Sequence, residues 1–63
     1  MERLKIKARL IESGFTQIEV AREMGVTKST ISRVLSGKTK SMKVQRKIAD
    51  ILNLPFETVW TNN

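Results

Sequence analysis

The sequence predicts an all-α fold, a compact bundle of about five short helices in which a tight turn joins two helices over residues 17–36. Three observations predict it. Apolar residues recur at helical spacing in Val20, Ala21, Met24, then in Ile31, Val34, Leu35, then in Val44, Ile48, Ile51, Leu52. Gly25, Gly37 and Asn53 stand where these stretches stop, and Thr16, Thr27 and Ser41 stand where N-caps belong. The one stretch that alternates like a strand, Arg3 to Leu10, has no partner strand elsewhere in the chain.

A chain of 63 residues makes one domain at most, here residues 1–63, and buries only a limited core. It has no cysteine and no histidine, which excludes disulfides and the usual zinc sets. Helix packing or a partner subunit must therefore supply its stability. No apolar run approaches the length of a membrane span. The opening MERLKIKARL lacks the apolar segment of a signal peptide, so a cytoplasmic protein is the default. Met1 and the polar end suit a complete small protein.

Residues 2–13 form the first element. Leu4, Ala8, Ile11 and Ile6, Leu10 fit helical spacing as well as the strand alternation does. The twelve-residue length and the stop at Gly14 favour a helix with a wide apolar surface. Its cations are expected to face solvent, with a phosphate contact from one or two near the N-terminus as the lesser reading. Phe15 packs as a staple on Val20 or Met24, and Thr16 with Glu19 has the form of a capping box. Gln17 opens the second helix, whose N–H groups and partial positive charge favour an anion. Glu19, Arg22 and Glu23 read as a solvated face.

Gly25 ends that helix in a conformation that favours glycine, and Thr27 caps the next. Ala21 is small where the two helices approach, and Ile31 can pack on it. At about 100° per residue, Lys28, Ser29, Ser32, Arg33 and Ser36 fall within an arc of roughly 140°. That arc holds cations and hydroxyls and no acid. Short hydroxyls permit close approach to a duplex, and Lys and Arg supply donors for guanine and phosphate.

Gly37 ends the third helix, and a basic loop follows with Lys38, Lys40 and Ser41. Ser41 caps the fourth helix, with Lys43 in its first turn, and Asn53 ends it in the left-handed conformation. Pro55 takes a first helical position in the last element. There Phe56 completes the core and Trp60 lies partly at an interface. Thr61-Asn62-Asn63 frays.

Twelve Lys and Arg stand against six Asp and Glu, a net charge of +6. Between Met24 and Ala49 lie Lys28, Arg33, Lys38, Lys40, Lys43, Arg46 and Lys47, with no acid. One continuous basic half is the footprint of a nucleic-acid surface.

The run TQIEVAREMGVTKSTISRVLSGK, with Gln17, Ala21, Gly25, Val26, Ile31 and Val34 at its structural positions, resembles the helix-turn-helix of the phage lambda repressor and Cro-like family. With the flanking helices the resemblance extends over residues 4–60. It implies a lambda repressor-like DNA-binding domain from a phage or bacterial transcriptional regulator, binding a palindromic operator as a homodimer. It also implies that Gln17 touches a phosphate and braces the recognition helix. Lys28, Ser29, Ser32 and Arg33 are then the candidates for base edges in double-stranded DNA. Thr16, Gln17, Lys38, Lys40, Ser41 and Lys43 are those for phosphates.

Catalysis is weakly supported. The acids are scattered, and there is no phosphate-cradling glycine loop, metal set or cofactor motif. The alternative is a protein-interaction module of the same fold, an antitoxin or accessory phage protein, which an exposed Phe56 and Trp60 would favour. Single-stranded RNA binding lacks the aromatic platform it needs.

Overall fold

Five helices joined by short turns and one longer loop build the fold over residues 1–60, which the computed structural model describes. They are α1 (Arg3–Glu12), α2 (Gln17–Met24), α3 (Lys28–Leu35), α4 (Met42–Leu52) and α5 (Phe56–Trp60). No strand occurs among the described residues. Thr61-Asn62-Asn63, expected to fray, lie outside them.

α2 packs chiefly on α3, α5 packs on α4, and α1 lies against both α3 and α4. Their inward stripes meet in one core. It is built from Ile6, Leu10, Val20, Ala21, Ile31, Val34, Leu35, Val44, Ile48, Ala49 and Val59, all buried. Phe15 and Met24 pack against this core from its edge.

The local signals act as expected in the middle of the chain. Thr16 and Glu19 form a full capping box, with Glu19 N–H donating to Thr16 Oγ1 at 3.1 Å and Thr16 N–H donating to Glu19 Oε1 at 2.9 Å. Gly25 takes φ 70° and ψ 29°, and Val26 N–H closes back on the Ala21 carbonyl at 3.0 Å. Asn53 ends α4 with φ 59° and ψ 40°.

Two details differ at the ends of the chain. In α1 only Ile6 and Leu10 turn inward, while Leu4 and Ile11 stay 75% and 70% exposed. Residues two apart lie about 200° apart on a helix, so the strand-like alternation of α1 is two opposed helical stripes. The core accepts one of them. In α5 Phe56, expected in the core, lies outside it, and Trp60 packs there instead. Val59 is the fully buried residue, Trp60 packs against the core, and Phe56 is half-buried outside that cluster. The Trp60 indole donates to the Gln45 carbonyl at 2.7 Å, which ties α5 to α4. Pro55 precedes α5, and its carbonyl accepts from Thr58 N–H at 3.0 Å and Val59 N–H at 3.3 Å. The α-amino group of Met1 donates to the Thr58 and Val59 carbonyls, each at 3.3 Å, and ties the start of the chain to α5.

Candidate nucleic-acid interface

The site starts from α3, because its inner face is fixed so firmly. Ile31, Val34 and Leu35 are at most 1% exposed. A helix held by that stripe must turn its other side outward, and Lys28, Ser29, Ser32, Arg33 and Ser36 are all exposed. No acid interrupts this face.

Both ends of α3 are anchored. Thr27 Oγ1 accepts from Thr30 N–H at 3.2 Å and lies 3.1 Å from Thr30 Oγ1. At the other end the Arg33 carbonyl accepts from Lys38 N–H at 2.9 Å, from Thr39 N–H at 3.3 Å and from the Ser36 hydroxyl at 3.1 Å. The loop therefore leaves the helix in a set direction, with Lys38 and Lys40 exposed along it. The Ser36 hydroxyl, though exposed, already donates its proton to the Arg33 carbonyl.

Thr16 is exposed at the start of α2, and Gln17 is half-buried beside it. The Glu19 carboxylate in the same turn is occupied with Thr16 N–H. Ser41 is half-buried, and its hydroxyl accepts from Val44 N–H at 3.4 Å, capping α4. Lys43 is exposed in the first turn of α4.

A groove of about 270 Å³ joins several of these residues. Gln17, Ser32 and Ser36 line it together with Arg3, Leu4 and Lys7 of α1. Two cations expected chiefly to face solvent thus sit beside the start of α2 and the outer face of α3. Their charge was visible in the sequence. Their side was not, because it depends on how α1 crosses α3.

The basic half is narrower than the sequence implied. Lys47 Nζ lies 2.8 Å from Glu23 Oε1, so that cation joins α4 to α2. Arg46 lines a separate groove of about 420 Å³ with Met42, Ala49, Asp50, Leu54, Phe56 and Glu57. Lys28, Arg33, Lys38, Lys40 and Lys43 remain on α3, its loop and the first turn of α4, with Arg3 and Lys7 nearby. Among the described residues no three acids gather in a metal-binding arrangement. No described helix is long and apolar enough to cross a membrane.

An anchored helix with a bare cationic and hydroxyl face suits a polyanion with polar edges. In comparisons with known proteins, a family model described as helix-turn-helix matches residues 6–59. No curated protein and no solved structure matches the chain. The match spans most of the sequence, and the chain belongs to the helix-turn-helix family of lambda repressor and Cro-like DNA-binding regulators.

Proposed function

We propose that this helix-turn-helix protein is a sequence-specific repressor that places its recognition helix, residues 28–36, in the major groove of a palindromic operator. One observation carries the reading. Lys28, Ser29, Ser32 and Arg33 are exposed on one face of α3, while Ile31, Val34 and Leu35 are buried on the other. Lys28 and Ser29 stand at the leading end of the helix, where base edges are usually read, and Lys28 suits guanine O6 and N7. Thr16, Gln17, Lys38, Lys40, Ser41 and Lys43 hold phosphates and fix register, and Arg3 and Lys7 extend that set. Bound protein acts by occupancy, denying the site to polymerase.

Each chain carries one recognition helix, so the two-fold symmetry of a palindrome calls for two copies. The groove of Met42, Arg46, Asp50, Phe56 and Glu57 offers the second copy a self-complementary surface. Met42 is 59% exposed there, with one cation and two acids around it. The interaction-module alternative leaned on an exposed terminal aromatic pair, and the bonded Trp60 indole removes much of that support.

Gel shifts with duplex DNA at two salt concentrations, followed by selection of bound sequences, test the reading. A steep salt slope and a palindromic consensus are expected. Binding that barely responds to salt, or a selected pool with no consensus, would refute it.

A further inference from the structure

Helix α1 keeps an apolar stripe that the core leaves bare. Leu4 and Ile11 are 75% and 70% exposed, and Ala8 between them is exposed too. The three fall within an arc of roughly 60°. Arg3 and Lys7 border this arc on one side, and Lys5 and Arg9 border it on the other, beyond Glu12. No ion pair among the described residues engages any of these four cations. Ile18, half exposed, stands next to Gln17, which shares a groove with Leu4 and Lys7.

We propose that this face docks an acidic amphipathic helix of another protein. Isolated surface hydrophobes need no explanation, but here they share one stripe between flanking cations. A duplex would satisfy the cations and leave Leu4, Ala8 and Ile11 bare. A second copy would bring four cations against four. A helix with leucines on one face and glutamates beside them covers the stripe and meets the charge on both flanks. The docking does not depend on the operator reading.

The test uses the full chain labelled with ¹⁵N and two synthetic amphipathic peptides of about 18 residues, long enough to form helix. One carries Leu and Glu, and the other has Lys for every Glu. The acidic peptide is expected to shift the amides of Leu4, Lys7, Ala8 and Ile11, and the basic peptide to shift none. Ile11→Ser should weaken the acidic peptide about tenfold. The same variant should keep its circular dichroism and its duplex binding, since Ile11 is exposed and outside the DNA-facing set. Shifts confined to Lys28, Arg33, Lys38 and Lys40 would overturn the proposal, as would equal binding by Ile11→Ser or by the basic peptide. Sedimentation that revealed self-association through Leu4 and Ile11 would assign the stripe to a second copy instead. A failed operator reading would appear in the gel shifts alone.

Discussion

The guanidinium of Arg3 lies over the backbone of Gly37, so close that a Cβ built on residue 37 would sit 2.7 Å from Arg3 Nη2. Gly37 has φ 81°, which already favours glycine. The start of α1 and the exit of the recognition helix are thus in contact. Gly37→Ala should cost about 1 kcal/mol from backbone strain and also displace Arg3. Gly25→Ala, at φ 70° with open space around it, should cost only the backbone term. Urea melts in an Arg3→Ala background separate the two. Removing Arg3 should reduce the cost of Gly37→Ala and leave that of Gly25→Ala unchanged.

Lys28 and Lys40 should fail in different ways. Lys28→Ala is expected to relax base preference at one operator position, with a loss of about 1–3 kcal/mol on the best site. Lys40→Ala should weaken all duplexes alike and lower the salt slope by about one. Arg3→Ala and Lys7→Ala should follow Lys40. Binding titrations against a selected and a random duplex check this, and two mutants with identical profiles would void the assignment of roles.

The α4–α5 groove predicts a charge-swap result. Arg46→Glu or Glu57→Arg should each weaken pairing of two copies, and the double variant should restore it. Sedimentation equilibrium with and without a palindromic duplex reads the outcome. Single variants that pair as well as the parent would move the dimer surface elsewhere.

Trp60→Phe removes the donor to the Gln45 carbonyl while keeping an aromatic ring in place. The Gln45 carbonyl keeps its place in the helical bonding of α4, so the loss should be about 1 kcal/mol, as for one hydrogen bond removed. Thermal melts followed by circular dichroism measure it. In contrast, Lys47→Ala should cost under about 1 kcal/mol, because its bridge to Glu23 is 35% and 48% exposed and screened by solvent.

What could be read from the chain was what neighbouring residues settle between themselves. Thr16 with Glu19, Gly25, Thr27, Ser41 and Asn53 each do their work within a few positions, so α2, α3 and α4 could be bounded without knowing what they touch. The outer face of α3 followed from the inner one, because a helix that buries Ile31, Val34 and Leu35 has only one side left.

Tertiary packing decided everything that depends on which of several equivalent faces finds a partner. α1 offered Leu4, Ala8, Ile11 and Ile6, Leu10, and only contact with α3 and α4 chose the second pair. The same crossing set Arg3 against Gly37 and Arg3 and Lys7 beside Gln17. Lys47 counted as part of a basic run until α2 brought Glu23 to it. Trp60 took the place in the packing expected of Phe56 because α5 docks through Val59 and the indole of Trp60 reaches Gln45 on α4. Helix boundaries come from short-range bonding and backbone preference, which are written locally. The use of each face comes from contacts between residues far apart in the chain, and those exist only once the helices have packed.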